Sequence, residues 1–152
     1  MEVILTKDEL EFAYNIGSRR HIESILKKLQ NKHGASPERS LDIHVAGALG
    51  ELAFAKALDK FYIGHVNTFS KPDVGKYQIR YTKMKPPQLI IRKTDNNNEV
   101  FVSVSGEDDT FYINGWLKGI DGKQDKYIRN PYNRGEAYFI PVEDLYTMET
   151  LP

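Results

Sequence analysis

Hydrophobic residues recur at helical spacing through the first third of the chain. Thr6 and Glu9 have the spacing of a capping box, in which the hydroxyl and the carboxylate each accept a hydrogen bond from an otherwise unpaired amide. The apolar positions that follow are spaced as on a helix: Leu10, Ala13, Tyr14, Ile22, Ile25, Leu26 and Leu29. The pattern predicts a helix that bends or breaks at Gly17-Ser18 and stops at Gly34.

A second helix is predicted from Ser36 to about Asp59 or Lys60. Ser36 is a suitable N-cap, and proline is favoured in the first turn that follows it. One face of this helix consists of small residues, namely Gly47, Ala48, Gly50 and Ala53. Each glycine inside a helix costs about 1 kcal/mol relative to alanine. The pattern therefore indicates that another element approaches this face closely.

From residue 61 onward the pattern changes to short strands separated by turns. We predict strands at 61–66, 77–82, 88–92, 100–105, 110–116 and 137–140. The third and fourth of these would form a hairpin around Asn96-Asn97-Asn98. We also predict a turn at 72–75, a loop at 118–135 and a helical turn at 141–145. Helices followed by strands, without a repeat or a linker, indicate one α+β domain over residues 1–152. Its helical part would end at about 60, and the remainder would form a central mixed, mostly antiparallel sheet.

Composition excludes several classes of protein. The 152 residues contain no cysteine, which excludes disulfides, thiolate metal sites and a cysteine nucleophile. There is no run of about 18 apolar residues, and the N-terminus lacks the basic and apolar regions of a signal peptide. We therefore expect no membrane association and a cytoplasmic location. Basic and acidic residues number 21 each, so bulk charge does not favour nucleic acid as a partner.

The neutral total hides a basic segment. Between residues 71 and 93 there are seven basic residues and a single acid, Asp73, which gives a net charge of +6. The basic residues are Lys71, Lys76, Arg80, Lys83, Lys85, Arg92 and Lys93. A solvated strand surface is the ordinary explanation of such a segment, but a lone acid within it suggests a functional site.

Two carboxylates and one strand face form a candidate site for phosphodiester hydrolysis. Glu51 lies on the small-residue face of the second helix, and Asp73 precedes the turn that leads into the strand at 77–82. Lys76, Gln78 and Arg80 alternate along that strand and therefore share one face. Acidic oxygens can hold Mg²⁺, which activates water, and a nearby cation can stabilise the charge of the transition state.

These residues resemble the PD-(D/E)XK nuclease superfamily. The resemblance rests on the helix sequence GALGELA at 47–53, on Pro72-Asp73 and on Gln78-Ile79-Arg80, in the family's order of helix glutamate, aspartate and Glu/Gln-x-Lys strand. The stretch from Gly47 to about Trp116 is also similar to small nuclease-like proteins of tailed bacteriophages, which carry a Gly-Trp after later strands. The resemblance implies a restriction-endonuclease-like core and a metal-dependent, phage-encoded DNA nuclease in the host cytoplasm.

The resemblance also implies roles for individual residues. Glu51, Asp73, Gln78 and the carbonyl of Ile79 would hold Mg²⁺ or Mn²⁺. Arg80, helped by Lys76, would hold the scissile phosphate. The other members of the basic segment would bind the nucleic acid: Lys71, Lys83, Lys85, Arg92 and Lys93.

Two departures from the family pattern keep other functions open. Gln78 stands where a carboxylate is usual, and Arg80 stands where lysine is usual. Arginine stays protonated and cannot act as a general base, although it can bind phosphate. Both changes favour an alternative, a catalytically inactive nuclease-fold protein that binds DNA or a protein partner. A viral structural or host-interaction protein is a further alternative, and either a homo-oligomer or a complex with a phage or host protein is compatible with the sequence.

Overall fold

The computed structural model describes residues 1–27, 37–66 and 71–152. Within them the elements are β1 (Glu2–Ile4), α1 (Lys7–Leu26), α2 (Pro37–Ala57), β2 (Tyr77–Thr82), β3 (Gln88–Ile91), β4 (Val100–Glu107), β5 (Thr110–Lys118), α3 (Gly119–Gly122), β6 (Ile128–Arg129) and β7 (Ala137–Pro141). Single turns of 3₁₀ helix occupy Asp125–Tyr127, Val142–Asp144 and Met148–Thr150. Helices combined with a mixed sheet confirm the predicted α+β class. None of the described helices has both the length and the apolar character needed to cross a bilayer.

Helix α1 begins at the predicted capping box. The amide of Glu9 donates to Oγ1 of Thr6 at 3.3 Å, and the amide of Thr6 donates to Oε2 of Glu9 at 2.7 Å. The helix then continues to Leu26, so it is not interrupted at Gly17-Ser18, which was one of the two predicted outcomes. The predicted stop at Gly34 and cap at Ser36 lie outside the described residues.

Helix α1 approaches α2 closely at Gly17. A Cβ atom on Gly17 would lie only 2.4 Å from the Cα of Val45. On α2, a Cβ on Gly50 would lie 3.1 Å from the Cβ of Tyr81, whereas one on Gly47 would meet no described atom within 4 Å. The close approach predicted from the small-residue face is therefore confirmed at Gly50 but not at Gly47.

These contacts predict opposite effects for two glycine-to-alanine substitutions. Gly17→Ala should lower the free energy of unfolding by about 1–3 kcal/mol, because the added methyl group forces the two helices apart. Gly47→Ala should raise it by up to about 1 kcal/mol, because alanine is the better helix former and meets no steric conflict. Urea unfolding of both variants measures the difference, and equal effects would contradict the described helix contact.

The strands form two sheets. The first has the order β1-β5-β4-β2, and the second has the order β3-β7-β6. All neighbouring strands are antiparallel except β2 and β4, which run parallel from Tyr77 opposite Val100 to Thr82 opposite Ser105. Strand β2 consequently forms one edge of the first sheet, and its outer side borders the turn that contains Asp73.

Two strand predictions are wrong. The hairpin predicted for 88–92 and 100–105 does not form, because β3 pairs with β7 in the second sheet while β4 pairs with β2 and β5 in the first. Residues 61–66 are not a strand: Phe61 is 91% exposed, whereas its neighbour Tyr62 is buried. Strand β1, which was not predicted, pairs with β5.

Strand β4 separates two hydrophobic clusters. Val102 and Val104 belong to the cluster beneath α2, which also contains Phe54. Phe101 belongs to the second cluster, with Leu89, Ile91 and Ile140 of β3 and β7. Because alternate residues of a strand point to opposite faces, a strand buried on both sides needs a continuous apolar run, which is the pattern that starts at Val100.

Candidate functional site

Glu51 is held by an arginine from the other helix. It lies on α2 and is only 7% exposed. Arg20 of α1 donates from Nη1 to Oε1 at 2.8 Å and from Nη2 to Oε2 at 2.7 Å, which is a bidentate ion pair. The pKa of Arg20 lies above its ordinary value: burial alone would lower it, but the hydrogen bonds and the negative charge of Glu51 outweigh that effect. The guanidinium is therefore a permanent counter-charge to Glu51.

The segment after α2 completes the surroundings of this ion pair. The hydroxyl of Tyr62 donates to Oε2 of Glu51 at 2.7 Å, and Nε of Arg20 donates to the carbonyl of His65 at 2.7 Å. Burial raises the pKa of the Tyr62 phenol, and the charge of Glu51 raises it further, so Tyr62 remains a neutral donor. This explains why 61–66 is irregular, since the segment is held by polar contacts to α1 and α2 rather than by a strand partner.

Asp73 lies in a turn against the edge of β2. The amides of Asp73 and Val74 both donate to the carbonyl of Tyr77, at 3.0 and 3.2 Å. Oδ2 of Asp73 accepts a hydrogen bond of 2.7 Å from the amide of Ile79. Gly75, at a φ of 59°, has the left-handed conformation that such a turn requires. The turn therefore fixes the carboxylate at the free edge of the first sheet.

The carboxylates of Glu51 and Asp73 are near enough to interact. Burial raises the pKa of Asp73, and the negative charge of Glu51 raises it further, to about 6. The amide of Ile79 and the charges of Arg80 and Arg20 act in the opposite direction but do not cancel the increase. The structure thus brings together two of the predicted site residues, and the second carboxylate is not fully compensated by its surroundings.

The carbonyl of Ile79 faces the same edge as Asp73. In a β-strand the N–H and C=O of one residue point to the same side, and the N–H of Ile79 points to Asp73. The neighbouring residues 78 and 80 direct their backbone groups to β4 instead. The carboxylate of Asp73 and the backbone carbonyl of Ile79 therefore face the same edge of β2, and both are oxygen ligands of the kind that a hard divalent cation takes.

The side chains of Gln78 and Arg80 project from the other face of β2. Residues 77, 79 and 81 face α2, as the ring contact of Phe54 with Tyr77 shows. Arg80 instead lies over the ring of Phe101, with Cζ 5.1 Å from the ring centroid, and donates from Nη2 to Oδ1 of Asp95 at 3.0 Å. Arg80 still acts electrostatically on Asp73, but Gln78 makes no side-chain hydrogen bond to a described residue.

The remaining predicted site residues are spread over the surface. Lys76 is exposed, with Nζ 5.7 Å from the ring centroid of Tyr77. Lys85 forms an ion pair with Glu107 and Lys93 with Glu136, and both pairs are exposed. Lys71 and Lys83 are exposed as well, whereas Arg92 is half-buried. Part of the charge of the basic segment is thus neutralised locally.

The residues present suit a weakly held magnesium ion better than a closed metal centre. Among the described residues no three His, Asp or Glu side chains are grouped to hold a metal. A carboxylate offers about four lone-pair sites, and Arg20 and Tyr62 take three of those on Glu51. Asp73 keeps Oδ1 without a described partner. Proteins often hold Mg²⁺ with one or two carboxylates and several water molecules. Asp73, together with the remaining lone pair of Glu51, therefore fits that ion.

Arg20 and Tyr62 were not identified from the sequence, although Arg20 left a signal there. Ala13, Ile16 and Gly17 are the buried residues of α1, and Arg20 continues their face at helical spacing. A charged residue on a buried face requires a partner. Tyr62 had no comparable signal, because its role depends on where the irregular segment passes.

Compared with protein-family models, with curated proteins and with solved structures, the chain matches none.

Proposed function

We propose that the chain is a Mg²⁺-dependent DNA nuclease of the PD-(D/E)XK type. The observation that carries the proposal is the pair of carboxylates, buried Glu51 and half-buried Asp73, which interact electrostatically beside the edge strand β2, with an arginine near each. The helix α2 packed over a mixed sheet is the arrangement expected of a restriction-endonuclease-like core. Phage origin and a location in the host cytoplasm remain predictions of the sequence.

Each residue has a specific part in the proposed reaction. Asp73 and the carbonyl of Ile79 would bind the metal, with Glu51 as a further ligand through its remaining lone pair. When bound, Mg²⁺ supplies activation of water and neutralisation of developing charge. Arg20 positions Glu51, and Arg80 contributes its positive charge near Asp73 without contacting the reacting phosphate. The proposal gives no metal ligand role to Gln78, because its side chain projects from the opposite face of β2.

One observation favours a catalytically inactive nuclease-fold protein instead. The carboxylate of Glu51 is occupied by a bidentate arginine and a tyrosine, which is how a former metal ligand would be satisfied without a metal. Such a protein would keep a basic surface for DNA or an acidic partner and lose the chemistry. The two proposals differ in a single measurable property, which is cleavage.

Incubation of plasmid and single-stranded DNA with the protein in Mg²⁺, in Mn²⁺ and in EDTA tests the proposal. We expect cleavage with either metal and none in EDTA. A matched reaction with the Asp73→Asn variant controls for a contaminating nuclease, since that variant keeps an acceptor for the amide of Ile79 and loses the carboxylate. A wild-type protein that binds DNA but leaves it intact with both metals would support the inactive fold and reject the nuclease.

A further inference from the structure

A cleft with cationic side chains lies on the face of β2 opposite the carboxylate pair. A cleft of about 170 Å³ separates the edge strand β2 from β3. Its lining consists of Arg80, Tyr81, Thr82, Gln88, Ile90 and Arg92. The lining contains two guanidinium groups and no acid, so the cleft has the charge of an anion site.

Both arginines have donors that the described residues leave unsatisfied. Nε of Arg80 is buried and has no hydrogen-bond partner among them. The backbone amide of Arg92 donates to Oδ2 of Asp95 at 2.8 Å, but its half-buried guanidinium donates to no described residue. A buried donor without an acceptor destabilises the folded protein, because it has lost its hydrogen bonds to water. A ligand with several acceptor oxygens would remove that cost.

The charges around the cleft leave an excess of positive charge. Burial lowers the pKa of Arg92, and the positive charge of Arg80 lowers it further, so the two guanidinium groups repel each other. Asp95 lies beside both and accepts from Nη2 of Arg80. Two arginines and one aspartate give a net charge of +1, which an anion would neutralise.

The cleft also differs from the rest of the basic segment. Lys85 and Lys93 are exposed and already paired with glutamates, so each contributes little to the binding of a partner. The arginines instead converge on one cleft, where planar guanidinium groups can donate two parallel hydrogen bonds to a phosphate. Its volume is below the roughly 300–1,000 Å³ of sites for drug-sized ligands, so one small anionic group fits and a whole nucleotide does not.

We propose that the cleft between Arg80 and Arg92 binds a single phosphate group of a nucleic-acid strand. That the ligand belongs to a nucleic-acid strand rests on the proposed function, whereas the preference for an oxyanion rests on the two arginines of the cleft. Arg80 lines the cleft and also acts electrostatically on Asp73. A phosphate bound there would therefore hold the strand next to the site of cleavage without taking part in the reaction.

Binding of labelled oligonucleotides in EDTA, measured by fluorescence anisotropy over a range of salt concentrations, tests this proposal. Arg92→Gln should weaken binding about ten-fold, the effect of one lost charge-assisted contact. The slope of log K against log salt should become shallower by about 0.7 for single strands or 0.9 for duplex. Arg134→Gln, the same substitution at an exposed arginine outside the cleft, should change neither.

A second variant and a second ligand make the result decisive. Gln88→Glu adds a repelling carboxylate to the cleft without removing a side chain, and it should weaken binding as Arg92→Gln does. Strands with and without a 5′-phosphate distinguish a terminal from a backbone phosphate. If the cleft binds the 5′-phosphate, the wild type should bind the strand without that phosphate as weakly as the variants bind the phosphorylated strand. If the cleft binds a backbone phosphate, the variants should lose the same affinity for both strands.

Unchanged affinity and slope in Arg92→Gln and Gln88→Glu would overturn the proposal, and so would a wild type that binds neither strand. Because EDTA prevents cleavage, this result is independent of the nuclease assay. If the protein cleaves DNA and Arg92→Gln binds DNA as well as the wild type, the proposal for the cleft is rejected and the nuclease proposal stands. If the protein does not cleave DNA but Arg92→Gln weakens binding, the nuclease proposal is rejected and the cleft still binds an anionic group.

Discussion

Replacing Arg20 by methionine is expected to lower the free energy of unfolding by about 3–5 kcal/mol, the usual cost of breaking a buried ion pair by removing one partner. The side chains of Arg20 and Glu51 are only 14% and 9% exposed. Methionine is similar in length but carries no charge. The variant would therefore leave the carboxylate of Glu51 buried, next to Asp73, with the hydroxyl of Tyr62 as its remaining described donor.

Two companion variants separate this effect from a general loss of packing. Arg19→Met makes the same change at the adjacent, exposed position of α1 and should alter stability by no more than about 0.5 kcal/mol. Arg20→Met combined with Glu51→Gln removes both charges, keeps an acceptor for Tyr62 and should recover more than half of the loss. Urea unfolding of all three measures the difference, and an Arg20→Met variant as stable as Arg19→Met would contradict a buried pair.

Features that depend on neighbouring residues could be predicted from the sequence. The capping box of Thr6 and Glu9 forms as expected because both partners lie within one helical turn. The turn before Tyr77 forms because Gly75 can adopt a positive φ. Strand positions in β4, β5 and β7 were also found, since their apolar runs are long enough to show the pattern of a buried strand.

Features that depend on distant pairing could not be predicted. The segments of β3 and β4 are adjacent in the sequence and resemble a hairpin, yet each finds a better partner elsewhere, and the parallel pairing of β2 with β4 has no local signature. Strand β1 is three residues long and is defined by its pairing with β5. Arg20 and Glu51 lie 31 positions apart, so only the finished packing of α1 on α2 joins them.

Replacing Asp73 by asparagine is expected to abolish metal-dependent cleavage and, at neutral pH, to stabilise the fold. Asparagine keeps an oxygen that can accept from the amide of Ile79 but has no negative charge for a metal. The pKa of Asp73 is about 6 in the fold, against 3.8 for an ordinary aspartate. The folded state therefore binds the proton more tightly than the unfolded chain, and ionising Asp73 in the fold is unfavourable.

The sign of this effect gives the substitution a characteristic pH dependence. Because the fold binds the proton of Asp73 more tightly, this residue stabilises the folded state fully below pH 3.8. That stabilisation is lost as the pH rises through about 6. Near pH 4 the wild type and Asp73→Asn should melt together. At pH 8 the variant should gain about 1–3 kcal/mol, because each tenfold change in proton affinity corresponds to about 1.4 kcal/mol. A chain of this length then melts several degrees higher, at about 2–4 °C per kcal/mol.

Magnesium distinguishes a metal ligand from a merely buried acid. A cation bound to Asp73 in the folded protein would stabilise the wild type at pH 8 in proportion to the logarithm of its concentration, and it would leave Asp73→Asn unaffected. Asp42→Asn, at an exposed position of α2, should show neither the pH effect nor the magnesium effect. Melting curves at pH 4 and pH 8, with and without Mg²⁺, accompany the cleavage assay. If the advantage of Asp73→Asn were the same at both pH values, the charge of Asp73 would not be its cause. If both proteins gained equally from Mg²⁺, the ion would bind elsewhere and Asp73 would not be a ligand.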